Sequence, residues 1–171
     1  MASNLKNFDS VGGFSVSETE LIDSLKNFKN VHSLKIQNSN FSNSSSTAYI
    51  LSGQNTGILS VDGGTQSITL PNNTVNFITT NVVGTNQTGG GVLVVKIESA
   101  VTVDSAGDVN AIGMLTTVIR DTVPTGQSWS VTTFDSGAAG AFSYSTSRTG
   151  TTDTIKWVAY TQVVSIDHTW C

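Results

Sequence analysis

The alternation of apolar and polar residues is clearest between residues 92 and 103. On an extended chain, one side of this segment would carry only aliphatic residues and the other mainly polar ones. The aliphatic side comprises Leu93, Val95, Ile97, Val101 and Val103, and the polar side Lys96, Glu98 and Thr102. Such alternation is typical of a strand with one buried and one solvated face.

The segment of residues 155–166 is apolar on both sides of an extended chain. One side comprises Ile155, Trp157, Ala159 and Val163, and the other Val158, Tyr160, Val164 and Ile166. In a small antiparallel domain, burying both sides of one strand requires a second covering layer. We therefore expect a helix or a neighbouring subunit to cover this strand, and take Trp157, Val158, Tyr160 and Val164 as candidate interface residues.

Shorter Val, Ile and Thr runs are separated by Gly, Asn, Asp and Pro throughout the rest of the chain after residue 47. They predict strands near residues 49–51, 57–61, 66–70, 75–83, 111–120, 129–133 and 142–147. Asp62-Gly63 between two of these runs is typical of a tight β-hairpin turn. Eight to ten strands at this spacing predict an antiparallel β-sandwich or jelly-roll-like domain.

The N-terminal third has a different pattern. Ser17 and Glu20 have the spacing of a helix capping box. The apolar residues that follow lie on one face of a helix, and they are Leu21, Ile22, Leu25 and Phe28. We expect a short helix over residues 18–30, which is too short to be stable alone and must dock on another surface. Leu21, Leu25 and Phe28 are therefore further candidate interface residues.

Together, the strand patterns and the N-terminal helix pattern predict a fold that is mostly β, with one short N-terminal helix. Residues 1–46 would form an arm, which contains the helix and a polar linker rich in Ser and Asn. Residues 47–171 would form the β-sandwich domain. Disorder is not expected in the sandwich region, because disordered chains lack regular aliphatic runs and carry more net charge than the −4 found here.

Charged residues make up only 12% of the chain, about half the usual share of roughly 25%. Eight Lys and Arg residues are too few for a phosphate-binding surface, so we expect no nucleic-acid partner. No apolar run approaches the roughly 20 residues of a membrane span. The residues after Met1 do not have the pattern of a secretory signal, which leads us to expect synthesis in a host cytoplasm.

Residue types that support catalysis are scarce. The two histidines, His32 and His168, have no Cys or acidic neighbour at metal-ligand spacing, and Cys171 is the single cysteine. We favour a free thiol at Cys171 over an interchain disulfide. No nucleophile elbow, phosphate-binding loop or dinucleotide-binding motif is present. We therefore expect no enzyme activity, no metal and no cofactor.

Acidic residues allow two alternatives that the sequence does not exclude. Asp104, Asp108 and Asn110 offer oxygen ligands for calcium, although their spacing is not that of an EF-hand, and we favour a β-turn. Paired carboxylates hydrolyse glycosides when they are held about 5–10 Å apart. The loop residues that would form such a pair are Asp121, Asp135 and Asp153, and we favour turn formation for them.

Aromatic residues raise a further alternative, because flat rings stack on sugars. The aromatic residues in the predicted strands are Trp129, Tyr144, Trp157 and Tyr160. Their position in strands favours core packing. We keep Trp129 and Tyr144 as candidate ligand-binding residues for the case in which they lie at the surface.

Three segments carry a resemblance to a known group. Residues 39–43 (SNFSN), 68–77 (ITLPNNTVNF) and 155–163 (IKWVAYTQV) resemble small structural proteins of marine T4-like cyanophages, which are virion proteins of tailed bacteriophages. The resemblance implies an oligomeric, non-enzymatic protein located in the virion, and it assigns no role to any single residue.

The expected function is therefore that of a capsid decoration, tail-associated or fibre-type protein that works through subunit–subunit packing. Its expected partners are copies of itself, as a trimer or larger symmetric assembly, and other virion proteins. The alternative is a carbohydrate- or host-receptor-binding module, with a host surface glycan as partner. A third class, a hydrolase, would require loop aspartates whose loss abolishes activity.

Overall fold

The structure is a computed structural model that describes residues 14–16, 19–22, 25, 27–28, 31–64, 66–135 and 140–169. The chain divides into two compact units, residues 1–32 and residues 33–171. The described parts contain strands, turns and loops, and no helix in them is long and apolar enough to cross a membrane.

The first unit contains a two-stranded antiparallel sheet of β1 (Phe14–Val16) and β2 (Thr19–Ile22). An isolated bridge joins Ile22 to Phe28. The helix predicted over residues 18–30 is thus wrong where this segment is described. A helix of that length gains little in isolation, and β-branched Thr and Ile favour extended backbone once a partner strand is available. The predicted N-cap Ser17 lies outside the described residues.

The second unit consists of two antiparallel sheets. Its strands are β3 (Leu34–Ile36), β4 (Ser44–Gln54), β5 (Gly57–Ile58), β6 (Ile68–Thr69), β7 (Thr74–Asn86), β8 (Val92–Val103), β9 (Val109–Asp121), β10 (Ser128–Asp135), β11 (Ala141–Thr149) and β12 (Ile155–Asp167). The large sheet has the order β3-β4-β12-β7-β8-β9. In the small sheet, β10 pairs with β11, which also pairs with β5 and β6. The predicted antiparallel, mostly β architecture is confirmed.

The core lies between the two sheets. Trp129 on the small sheet and Trp157 on the large sheet pack in a T-shaped arrangement, with centroids 6.1 Å apart and planes at 72°. The aliphatic side predicted for β8 is the buried one, from Leu93 to Val103. Each strand of this kind contributes alternate residues to one apolar layer, which is the usual way in which two sheets stabilise each other.

Two local predictions differ from the structure. The segments on either side of Asp62-Gly63 mainly pair with β11, and a backbone hydrogen bond from the Val61 N–H to the Gln66 carbonyl closes the loop between them. The boundary predicted at residue 46 falls within β4, which begins at Ser44 and pairs with β3. Strand pairing depends on contacts that are distant in sequence, so local turn signals did not reveal either arrangement.

Candidate functional site

The large sheet has one face that turns away from the small sheet. Along β12, residues alternate strictly between buried and exposed positions, so that every second side chain points to this face. Eight large apolar side chains on it are 38–56% exposed. This set, the outer apolar face, consists of Ile50, Val75, Phe77, Val83, Val158, Tyr160, Val164 and Ile166.

Strand register arranges these side chains in pairs. Val164 lies opposite Phe77, and Ile166 lies opposite Val75, which forms one cluster across β12 and β7. Directly opposed side chains on a sheet face are close enough to pack together. The cluster therefore presents a continuous apolar surface to solvent.

A second cluster lies further along the same strands. Val158 lies opposite Val83, and Tyr160 lies opposite Ile50 on β4. Between the two clusters, Gln162 donates a side-chain hydrogen bond of 3.2 Å to the Ser46 hydroxyl. The outer apolar face thus consists of two apolar clusters with polar residues between them.

Formal charge on this face lies at Lys156, an exposed residue of β12 two positions before Val158, and to one side of the clusters on β8. There the Lys96 ammonium and the Glu98 carboxylate form an ion pair of 2.9 Å. On the opposite side, Leu34 and Ile36 of β3 are exposed and pair with Ala48 and Ser46 of β4. The apolar surface therefore extends to the β3 end of the sheet, which suits contact with another apolar surface.

The interface candidates that lie on β12 fall into two groups, exposed and buried. Val158, Tyr160 and Val164 lie on the outer apolar face, and their role as interface residues stays a prediction. Trp157 is a correction: only 1% of its surface is exposed, and its ring lies against Gly84, where a Cβ atom would overlap with it. Odd-numbered residues of β12 face the small sheet, and Trp157 is therefore buried.

The N-terminal candidates belong to the first unit. Leu25 and Phe28 are both exposed at the surface of the described chain. Leu21 lies in β2, and its side chain is outside what the structure describes. Their part in an interface stays a prediction.

The two aromatic ligand candidates are also corrected. Trp129 is 7% exposed and Tyr144 is 0% exposed, so neither ring is available for stacking on a sugar. The Tyr144 hydroxyl lies 2.6 Å from the Thr80 hydroxyl, which in turn donates to the Thr161 hydroxyl at 2.9 Å. Burial raises the pKa of Tyr144 to about 12, and the hydrogen bond with Thr80 opposes this shift. These residues connect the two sheets.

Several exposed residues were missed by the sequence reasoning. Val75, Phe77 and Val83 of β7 lie beside β12 and contribute a large part of the outer apolar face. The signal was present, because this segment also carries Ile78 and Val82 on its other side. Like residues 155–166, it is apolar on both sides of an extended chain.

The acidic residues considered for calcium form a turn. The Asp104 Oδ1 atom accepts hydrogen bonds of 2.9 Å from the backbone N–H groups of Ala106 and Asp108. Asp104, Asp108 and Asn110 line a groove of about 570 Å³ together with His168. In the described part of the chain, no group of three or more His, Cys, Asp or Glu is placed to hold a metal ion. The geometry matches the favoured β-turn.

The other loop aspartates also bond locally. The Asp121 carboxylate accepts from the Val123 N–H at 2.9 Å, and the Asp153 carboxylate accepts from the Asn86 side-chain amide at 3.3 Å. The side chain of Asp135 and residue Cys171 lie outside the description. Both described carboxylates are thus used to fix loops.

No protein-family description and no curated protein matches the sequence. Among solved structures, the chain is similar to the tailspike protein of Acinetobacter baumannii phage AM24, with a TM-score of 0.35 and 12% identity. The alignment covers 71% of this chain and 26% of the tailspike chain, so this chain spans about a quarter of that protein's length. Similarity at this level does not define a shared fold or activity.

Proposed function

We propose that this chain is a structural subunit of a bacteriophage virion, of the capsid decoration, tail-associated or fibre type. It acts by packing its outer apolar face against neighbouring subunits, as a trimer or larger symmetric assembly, and it has no catalytic role. The observation that carries this proposal is the pairing of exposed apolar residues across β12 and β7, such as Val164 with Phe77.

Two physical considerations support packing through this face. An extended apolar surface on a sheet is costly in water, and burial is worth about 25 cal/mol per Å² of apolar area. The β-branched side chains of such a face are also stiff, so little side-chain entropy is lost when a partner covers them. Resemblance of residues 39–43, 68–77 and 155–163 to tailed-phage structural proteins supports the virion as the place of assembly.

The experiment that tests this proposal is localisation in the particle. Purified virions are analysed by mass spectrometry and then by electron microscopy, with an antibody against this chain as the label. We expect the chain at a stoichiometry that follows the symmetry of the head or tail, with the label at fixed positions. Absence from purified particles, with abundant protein left in the lysate, would contradict the proposal.

A carbohydrate- or host-receptor-binding role is the second candidate. The observation that favours it is the exposure of two aromatic side chains, Tyr160 and Phe77, on the same face of the sheet. It predicts binding on a glycan array that is lost in Tyr160→Ala. Glycan binding without self-association would favour this second function over the first.

A further inference from the structure

β9 is the last strand of the large sheet. It pairs with β8 on one side, and no described strand pairs with its other edge. Residues 110–121 are all exposed, so the free row of backbone N–H and C=O groups is accessible along the strand. An accessible edge of this length is a template for pairing with another strand.

Proteins usually protect such edges with lysine, proline, bulges or a very short end strand. At the opposite end of the sheet, β3 has only three residues and carries Lys35. β9 has 13 residues with neither lysine nor proline. Its pairing with β8 is irregular at Ile112 and at Ile119, which leaves residues 113–118 as a regular segment between two bulges.

The apolar side chains of β9 are exposed on both faces of the sheet. Met114 and Val118 lie opposite buried positions of β8, whereas Leu115 lies opposite Glu98 on the outer side. Together with the two bulged isoleucines, these side chains are 51–63% exposed. A strand placed beside β9 would pack its own side chains against those of β9 on both faces at once.

The charged residues near the two ends of β9 indicate which strand can pair with its free edge. Asp108 precedes β9 and Arg120 lies near its end, and the side chains of both have no hydrogen-bond or ion-pair partner among the described residues. An antiparallel copy of β9 would bring the Arg120 of each chain towards the Asp108 of the other. A parallel copy would place like charges together, which is unfavourable.

We infer that β9 pairs antiparallel with β9 of a second copy of this chain, through residues 113–118. Two six-stranded sheets then join into one continuous sheet about a two-fold axis. This contact uses an edge of the sheet, whereas the proposed function uses its outer apolar face, so the two contacts are separate and are tested separately.

A cysteine scan tests the pairing. Each residue from 113 to 118 is changed to Cys in turn in a Cys171→Ser background, and the proteins are oxidised mildly. In a two-fold pair, equivalent residues meet only at the axis, where Cα atoms about 4.5–5.5 Å apart suit a disulfide. The control is Thr152→Cys, an exposed loop position.

We expect one position, and at most its neighbours on the same face, to give several-fold more disulfide-linked dimer than the control. If all six positions match Thr152→Cys, the inference is overturned. Circular dichroism of each variant checks that it is folded, and the exposure of this segment makes unfolding of all six unexpected.

A charge exchange gives an independent test of strand direction. Arg120→Asp places an acidic residue near the Asp108 of the second copy and should reduce cross-linking several-fold at the best position. The double variant Asp108→Arg/Arg120→Asp restores the opposite charges and should recover the dimer. If Arg120→Asp has no effect, or the double variant is no better than the single one, antiparallel pairing is contradicted.

Failure of this inference differs from failure of the proposed function. If Val164→Lys dissociates the assembly while no cysteine in residues 113–118 cross-links, packing through the outer apolar face stands and edge pairing is overturned. If the cysteines cross-link while Val164→Lys leaves association unchanged, edge pairing stands and packing through the face is overturned.

Discussion

The hydroxyl oxygen of Tyr144 lies 2.6 Å from that of Thr80, and both residues are completely buried between the two sheets. Tyr144 belongs to β11 of the small sheet and Thr80 to β7 of the large one. Because Thr80 also donates to Thr161, a chain of three hydroxyl groups connects the sheets inside an apolar core. Such a network is favourable only while each member is bonded.

We expect Tyr144→Phe to lower the free energy of unfolding by about 1–2 kcal/mol, because a buried hydrogen bond is lost and Thr80 loses one partner. In the double variant Tyr144→Phe/Thr80→Val, the loss should be smaller than the sum of the single losses, since both variants remove the same bond. Urea unfolding measures the free energy of unfolding of the two single variants and of the double variant. Additive losses would show that the two hydroxyl groups are energetically independent.

The raised pKa of Tyr144 makes stability depend on pH in the alkaline range. Between pH 10 and 12 this tyrosine ionises in the unfolded chain but stays protonated in the folded one. The unfolded state therefore releases the proton first, and stability falls as pH rises through this window, by about 2–3 kcal/mol. Below pH 10 the stability that is lost in this window is fully present.

Unfolding free energies of the wild type and Tyr144→Phe at several values from pH 8 to 12 test this dependence. Burial also raises the pKa of Tyr49, and that contribution is common to both proteins, so the difference between them isolates Tyr144. We expect the two curves to converge above pH 10 and to cross by about pH 12, because the alkaline loss of about 2–3 kcal/mol exceeds the advantage of about 1–2 kcal/mol that the wild type has at lower pH. Parallel curves would contradict the raised pKa.

Close packing of Trp157 on Gly84 predicts a strong effect of a single methyl group. A Cβ atom at Gly84 would overlap with the indole ring, and the ring is held in place by the core and by its N–H bond to the Asn55 carbonyl. We expect Gly84→Ala to destabilise by about 1–3 kcal/mol. Thermal unfolding and tryptophan fluorescence report the change.

Gly57→Ala is the matched control for Gly84→Ala. Its added Cβ would meet the Gln54 carbonyl oxygen at 3.7 Å, an ordinary contact. We expect a change within about 0.5 kcal/mol. Equal losses in the two variants would mean that the indole ring moves aside without cost.

The Asp104 turn predicts a stability effect that is independent of calcium. Asp104→Ala removes an acceptor for two backbone N–H groups, and we expect a loss of about 1 kcal/mol. Melting temperatures of the wild type and the variant are compared in calcium and in a chelator. A calcium-dependent increase that is seen only in the wild type would identify a metal site instead.

The sequence predicted β8 well because its apolar residues have a period of two over twelve residues, long enough to exclude a helix, and β12 because an apolar run rich in β-branched and aromatic residues favours a strand. It also showed that both sides of β12 are apolar. Which side forms the core depends on where the small sheet packs, and that information is not local. For this reason Trp157 and Val158 were both candidates, and only the fold separates them.

The N-terminal region shows the opposite case. A helix would fit the spacing of the apolar residues Leu21, Ile22, Leu25 and Phe28. In the structure, however, Thr19–Ile22 pair with Phe14–Val16 as strands. Four apolar positions are too few to distinguish the two periods when a partner strand is close in sequence. Likewise, residues 111–120 predicted a strand, but its place at the end of the sheet is a matter of topology.

Packing through the outer apolar face is tested most directly by sedimentation velocity over a range of concentrations. The account predicts a wild-type assembly of three or more 17.9 kDa chains, and a shift of Val164→Lys towards smaller species at equal folded stability. Thr132→Lys, an equally charged change at an exposed position of β10, should sediment like the wild type. A wild-type protein that stays monomeric at high concentration, or a Val164→Lys variant that assembles like the wild type, would contradict the account.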